Sequence, residues 1–216
     1  MVTVAKKPSE AYLTIPDVNY RGEIQTWNIF RKMTSEMDIS QLSELYETEK
    51  PKGNPHPASS DLIYSIFLGG FNLREKSPNE AQDLREFFKT GLGRYPNTLS
   101  IVEYNPFFGE DKAIHNYKTS EEYELKGNIA GPDGLVKNLP DANFLEMILG
   151  TKNTGEINDV FKWINSTDSY VYRLNIKPSK KTEKVVWFLA DSSRVCLYCS
   201  GNPLGEFPAF RVARVE

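Results

Sequence analysis

The sequence predicts an α+β fold with a mostly antiparallel sheet that is dominated by C-terminal strands. Three short runs rich in β-branched and aromatic residues lie between residues 184 and 215, separated by turn-like residues. This pattern is typical of an antiparallel meander. Helical and strand patterns occur in separate parts of the chain, which disfavours a doubly wound parallel sheet. We therefore expect helices to cover one face of the sheet.

The chain is predicted to divide into an N-terminal arm with helices over residues 1–50 and a single α+β core domain over residues 51–216. The segment from 50 to 57 contains three prolines and a glycine, which indicates an exposed loop at this boundary. Prolines and a glycine also interrupt residues 1–23, and we expect an extended arm that packs on the body or on a partner.

Residues 24–46 carry apolar side chains at near-helical spacing and predict two helices, of which Asp38 and Gln41 would cap the second. The apolar run over 62–68 fits a buried strand or a short helix. Ser77 and Pro78 begin a predicted helix as N-cap and first-turn residues. The same kinds of pattern predict helices over 78–90, 142–149 and 156–164 and strands over 98–104, 122–126 and 170–176.

The run over 185–190 is apolar on both of its faces, so this strand is expected to be central in the sheet. The helix over 156–164 is expected to cover one face of it. The N-terminal half or another chain would cover the other face.

Composition is that of an ordinary globular protein, with 39% hydrophobic and 25% charged residues. The formal net charge of −3 does not indicate a general nucleic-acid binder. However, residues 170–216 carry eight Lys/Arg and four Asp/Glu, a net of +4, while the first 169 residues carry −7. A basic C-terminal face could suit an anionic partner, although a solvated face is the simpler interpretation.

The N-terminus lacks the apolar region of a signal peptide, and no run of 18 apolar residues indicates a membrane span. Two cysteines are too few for a disulfide framework, so we expect a reducing, cytoplasmic setting. Cys196 and Cys199 have the spacing of a metal or redox pair. Within a strand their thiols would face opposite sides, which favours a packing role.

One pattern is suited to metal-assisted hydrolysis. Glu124 and Lys126 are two residues apart in a predicted strand and would share a face, and Asp111 lies upstream. Carboxylates would bind Mg²⁺ and the ammonium group would stabilise developing charge. The arrangement resembles the Asp…Glu-x-Lys signature of the PD-(D/E)xK nucleases, with Glu103 as a substitute for Asp111. The alternative is an ion pair on a solvated strand face.

Aromatic and basic residues near the C-terminus form a second candidate site. Tyr170 and Tyr172 lie beside Arg173, and Arg211 and Arg214 follow later in the chain. Such residues could stack on single-stranded nucleic acid or could anchor a protein interface.

Three functions remain open. The first is a non-enzymatic binding or assembly protein that acts through protein–protein contacts, with another protein or a second copy as partner and no cofactor. The second is the Mg²⁺-dependent nuclease. The third is an enzyme of another type with a pocket between sheet and helices. Walker, dinucleotide and nucleophile-elbow motifs are missing from the sequence, which favours the first.

Overall fold

The computed structural model describes residues 11–107 and 109–215. Within them the chain forms eleven strands and five α-helices. In chain order these are β1 (Tyr12–Tyr20), β2 (Glu23–Phe30), α1 (Ile39–Glu49), β3 (His56–Pro57), α2 (Ser60–Asn72), α3 (Pro78–Leu92), β4 (Asn97–Tyr104), β5 (Asp111–His115), β6 (Tyr123–Gly127), β7 (Gly134–Leu135), α4 (Asn143–Leu149), α5 (Thr154–Asn165), β8 (Ser169–Tyr172), β9 (Thr182–Ala190), β10 (Val195–Gly201) and β11 (Arg211–Arg214).

The strands form two sheets. Seven strands form one sheet in the order β6-β5-β4-β9-β10-β8-β7, and four form a second in the order β1-β2-β11-β3. Strands β8 and β10 run parallel, whereas the other pairs are antiparallel. The predicted α+β fold with a mostly antiparallel sheet is thereby confirmed.

The inner face of the seven-stranded sheet carries Val186 and Phe188 of β9 and belongs to the main hydrophobic core. Helix α5 covers this face as predicted, with Phe161 at 6.0 Å from Phe188 between ring centroids. Phe67 of α2 lies 5.7 Å from Phe188, and 4.8 Å from Phe88 of α3. The space between sheet and helices is therefore filled by aromatic rings at this point, where the third hypothesis would need a pocket.

The outer face of the same sheet is covered in part by the N-terminal half, as expected for a central β9. Helix α1 contributes Ile39 and Leu42 to a second hydrophobic cluster. This cluster contains Leu99 and Ile101 of β4 and Val185 of β9. The Asp38 capping box at the start of α1 is present as predicted.

The prediction for the N-terminal segment was right in one part and wrong in another. Residues 12–20 of the expected arm are extended and pack on the body as strand β1. The first predicted helix of the 24–46 segment is wrong, because these residues form strand β2. The apolar spacing suggested a helix, but pairing with β1 and β11 fixes a strand that buries Trp27 and Ile29. Gly69 allows β1 to lie close to α2, because a Cβ atom there would be 2.8 Å from Ile15 Cγ2. Residues 1–10 of the arm lie outside the described residues.

The prediction of a three-stranded C-terminal meander is also wrong in part. Its first two runs pair as β9 and β10, but the third, β11, belongs to the four-stranded sheet and pairs with β2 and β3. The strand predicted over 170–176 ends at Tyr172, and the ambiguous run over 62–68 lies in helix α2. Strand β2 belongs to the first predicted part of the chain and β11 to the second, so their hydrogen bonds cross the boundary predicted at residue 50. The division of the chain into two parts stays a prediction.

No helix in the described ranges is both long and apolar enough to cross a membrane.

His56 of β3 is a buried histidine whose ring lies 4.9 Å from that of Tyr46. Its Nδ1–H donates to the carbonyl oxygen of Pro57 at 2.8 Å, because a carbonyl oxygen can only accept. Burial lowers the pKa of His56 to about 4.

Stability should therefore fall as the solution is acidified. The unfolded chain protonates His56 near the ordinary pKa of about 6.5, while the folded chain resists protonation until about 4. Between about pH 7 and pH 5 this group should remove about 2 kcal/mol from the free energy of unfolding. Urea unfolding of wild type and His56→Phe across this range measures it. An equal loss of unfolding free energy in the two proteins would show that His56 does not cause this pH dependence.

Candidate functional site

The residues that resemble a nuclease site lie on β5 and β6 but do not come together. In the strand register Asp111 is opposite Gly127, whereas Glu124 is opposite Ile114. Directly opposite residues share a face, and neighbours along a strand alternate. Asp111 therefore points to the inner face, and Glu124 and Lys126 point to the outer face.

The Asp111 carboxylate is fully buried and fully used by the fold. One oxygen accepts hydrogen bonds from the Asn105 amide and the Lys177 ammonium group, each at 3.0 Å. The other accepts from the amides of Ile129 and Ala130, also at 3.0 Å. Asp111 thus fixes two loops and has no face open to a metal ion.

Glu124 is half-exposed and held by two lysines, Lys112 at 2.7 Å and Lys126 at 3.2 Å. These contacts, Lys112 first, lower the pKa of Glu124. The substitute Glu103 is paired with Lys181 at 2.6 Å. In the part of the chain that the structure describes, no three His, Cys, Asp or Glu side chains are grouped to hold a metal ion. The geometry of Glu124 and Glu103 is that of ion pairs with lysines on the sheet, which is the alternative to a nuclease site.

Four aromatic rings cross the outer face of the seven-stranded sheet in a continuous stack. Tyr172, Tyr198, Trp187 and Phe207 follow one another with interplanar angles of 13°, 17° and 6°. The first three come from β8, β10 and β9 and lie directly opposite one another in the register. We call these four side chains the aromatic row.

The two inner rings of the aromatic row, Tyr198 and Trp187, have both faces covered by their neighbours, so mainly their edges are left for solvent. The end rings, Tyr172 and Phe207, have one face each that no ring of the row covers. Stacking of nucleic-acid bases needs a free ring face. Tyr170, predicted as a second stacking residue, lies tilted against Tyr172 at 4.8 Å. Arg194, which sequence reasoning missed, donates to the Tyr172 hydroxyl at 2.9 Å. The row is therefore better suited to stabilising the sheet, at about 0.5–1.5 kcal/mol per ring pair, than to binding bases.

Arg173 is 7% exposed and is used inside the fold. Its guanidinium donates to the carbonyl oxygens of Ile129 at 3.0 Å and Pro132 at 3.1 Å, and it lies 4.1 Å above the Phe144 ring. These contacts leave little of Arg173 for an external partner.

Arg211 and Arg214 lie on β11 three residues apart and thus on opposite faces of the four-stranded sheet. Arg214 is opposite Trp27, whose side chain belongs to the main core. Arg211 faces the other way and lies 6.0 Å from the Phe30 ring centroid.

Arg211 lines a pocket of about 840 Å³ between the end of β2, helix α1 and the turn after α3. We call it the cationic pocket. Its lining consists of four cationic residues, one carboxylate and a set of apolar and small polar residues: Arg31, Lys32, Arg94, Arg211, Glu49, Phe30, Met33, Met37, Leu45, Ala11, Thr34 and Ser35.

The cationic pocket has a strong excess of positive charge. Its one carboxylate, Glu49, already accepts hydrogen bonds from Asn54 at 2.8 Å and Lys52 at 3.2 Å. These bonds lower the pKa of Glu49. Among the described residues, none of the ion pairs involves any of the four pocket cations. The pocket can therefore offer several charge-assisted hydrogen bonds to an anion.

A buried polar network lies on the inner side of the fold. Asp61 at the start of α2 accepts from the hydroxyls of Ser59 and Tyr123, and lies 3.4 Å from His115 Nδ1. His115 contacts Ser100 at 2.8 Å through the same nitrogen and donates from Nε2 to the Met147 carbonyl oxygen at 2.7 Å. Burial, and then the Asp61 charge, raise the pKa of Tyr123.

This network contains serine, histidine and aspartate but is not arranged as a nucleophilic triad. Ser100 and Asp61 approach the same ring nitrogen, whereas a triad places them on different nitrogens. His115 is 0% exposed and Ser100 1%, so a substrate cannot reach them. The network joins α2, β4, β5, β6 and α4 as a structural element.

The two cysteines are buried and unbonded, with Cys199 in the main core. Burial raises the pKa of Cys196 to about 11 and that of Cys199 to about 12. Both are therefore thiols at neutral pH, as a packing role requires.

Comparison of the chain with protein-family models, curated proteins and solved structures gives no match.

Three of the pocket cations were missed by sequence reasoning. Arg31 and Lys32 are adjacent cations at the end of the segment that was assigned to a helix, and Arg94 follows the glycines that end α3. The sequence signal that could have indicated them is the pair of adjacent cations, Arg31 and Lys32, where the chain turns after β2. Only the tertiary structure brings them together with Arg211.

Asp61→Asn should destabilise the protein by about 3 kcal/mol, because an NH2 group, which cannot accept a hydrogen bond, replaces one of the two buried carboxylate oxygens that accept from Ser59 and Tyr123. Glu124→Gln, which changes a solvent-exposed ion pair, should destabilise the protein much less, because solvent screens such pairs. Urea unfolding of both variants at neutral pH checks the difference. Equal losses would show that the Asp61 network does not stabilise the fold more than a surface pair does.

Proposed function

We propose that the protein is a non-enzymatic binding protein that docks an acidic segment of a partner protein in the cationic pocket. The observation that carries the proposal is the combination of four cationic side chains with an apolar floor in one concavity of about 840 Å³. That volume lies within the range of specific ligand pockets, about 300–1,000 Å³.

The cations of the pocket are available to a partner. Arg31, Lys32 and Arg94 are exposed. Arg211 is partly exposed, and its guanidinium makes only a long contact of 3.5 Å, from Nη2 to the Pro55 carbonyl oxygen. Carboxylates on a partner would pair with the guanidinium groups in two-point geometry, which adds specificity to the charge attraction.

The floor of the pocket suits an apolar anchor on the same partner. Phe30, Met37 and Leu45 are partly exposed there, beside the buried Met33. Methionine side chains are flexible and polarisable, and they adapt to partners of different shape. An acidic segment with one or two apolar residues would therefore match both the charge and the floor.

A protein partner fits better than a nucleic acid. The chain as a whole carries −3, so a long polyanion would be repelled outside the pocket. In the aromatic row, both faces of Tyr198 and Trp187 are already covered by neighbouring rings, which leaves few ring faces for base stacking. A short acidic segment needs only the local excess of positive charge.

The N-terminal residues of the same chain are a poor occupant. They contain Lys6 and Lys7 with Glu10 as their single acid, so their charge has the wrong sign. A second copy of the chain would compete only if it presented an acidic segment. A reducing compartment such as the cytoplasm is the proposed setting, since both cysteines are unbonded.

The test uses fluorescent peptides that combine Asp and Glu with one or two aromatic or aliphatic residues, and copies with every acid replaced by lysine. We expect the acidic set to bind and the lysine set not to bind, because the pocket cations repel lysine. Arg31→Glu and Arg94→Glu should each weaken binding by about tenfold or more, since each removes a charge-assisted contact. Fluorescence anisotropy measures both effects.

Lys180→Glu is the matched control, because it makes the same charge change at an exposed residue outside the pocket. Its affinity for the acidic peptides should stay close to that of wild type. Equal weakening by all three variants would indicate nonspecific attraction and would contradict the proposal. Light scattering distinguishes self-association, which would appear as a dimer of wild type that the pocket variants lose.

A further inference from the structure

A second cleft lies under the turn of the β1–β2 hairpin, on the face of the four-stranded sheet opposite to the cationic pocket. It has a volume of about 440 Å³. We call it the hairpin cleft and define it by its lining residues, which are Tyr20, Arg21, Glu23, Gln25, Trp27, Lys50, Glu121 and Arg214.

Trp27 lines this cleft and has an unused hydrogen-bond donor. The residue is 5% exposed, and its indole Nε1–H has no acceptor in the structure. An indole nitrogen can only donate. A buried donor without a partner destabilises the fold, so a ligand in the cleft with an acceptor oxygen would remove that cost.

Two arginines line the same cleft as Trp27. Arg214 is directly opposite Trp27 in the β2–β11 register, so both side chains project from one face at neighbouring positions. Arg21 occupies the hairpin turn with φ at 54°, an uncommon backbone conformation for a residue other than glycine. Its guanidinium lies 3.9 Å above the Tyr123 ring. None of the ion pairs among the described residues uses either arginine.

The acidic residues of the cleft are already engaged. Glu121 is paired with Lys50 and accepts from the Tyr46 hydroxyl at 3.0 Å, and these contacts, Lys50 first, lower its pKa. Glu23 accepts from the Gln25 amide at 2.5 Å. Glu121 is thus paired with a cation, whereas the neutral Gln25 amide does not cancel the charge of Glu23. Three cations, Arg21, Lys50 and Arg214, against these two carboxylates leave the cleft with a net positive charge.

We propose that the hairpin cleft binds a small molecule through an oxyanion, either a carboxylate or a phosphate group. The Trp27 indole donates to an oxygen of this group, and Arg21 and Arg214 supply the opposite charge. The site is separate from the cationic pocket, because Arg214 and Arg211 project from opposite faces of β11.

The test follows the indole N–H signals of ¹⁵N-labelled protein by NMR, where Trp27, Trp163 and Trp187 give one signal each. The probes are sodium phosphate and sodium succinate, with sodium chloride at matched ionic strength as reference. We expect the Trp27 signal, identified by its loss in Trp27→Phe, to shift saturably with at least one probe and not with chloride. A shift with phosphate only assigns a phosphate-bearing ligand, and a shift with succinate only assigns a carboxylate.

Arg214→Gln should raise the dissociation constant for the effective probe by about tenfold or more. Arg214 is exposed, so this variant should keep its fold. Lys180→Gln, outside the cleft, should leave the titration unchanged. The proposal is overturned if the Trp27 signal does not move at about 50 mM of either probe, or if Arg214→Gln and Lys180→Gln behave alike.

Discussion

The antiparallel pairing of β2 with β11 is the constraint on which both proposed sites depend. It brings the N-terminal hairpin and the C-terminal strand into one sheet, with Ile29 opposite Val212 and Trp27 opposite Arg214. Ile29 and Val212 are both fully buried, so hydrophobic burial holds the register. A shift of the register by one residue would exchange the faces of β11 and move Arg211 and Arg214 away from their pockets. The same pairing therefore stabilises the fold and positions the charges.

Elements with a strong local pattern could be predicted from the sequence, whereas those fixed by distant contacts could not. The capping box of Asp38 and Gln41 and the amphipathic pattern of α5 determine their helices locally. Strand β2 has an apolar spacing that fits a helix, but its partners β1 and β11 determine its conformation. The pairing of β2 with β11 joins residues at opposite ends of the chain, which periodicity within a short window cannot reveal.

The candidate site was predictable in residue type but not in arrangement. The sequence predicts Arg211 and Arg214 as binding residues. In the structure they lie on opposite faces of strand β11. For Asp111 and Glu124, the relative orientation depends on how the loop between β5 and β6 sets their register. One residue more or fewer in that register would have placed the two carboxylates on the same face. Loop geometry of this kind has no signature in the spacing Asp…Glu-x-Lys.

The most direct measurement compares Arg211→Gln and Arg214→Gln in both binding assays under one set of conditions. Arg211→Gln should weaken binding of the acidic peptide by about tenfold and leave the oxyanion titration of the Trp27 indole signal unchanged. Arg214→Gln should show the reverse pattern. If each variant weakens both ligands to the same extent, the two arginines act on one shared surface, and the division of β11 into two binding faces is contradicted.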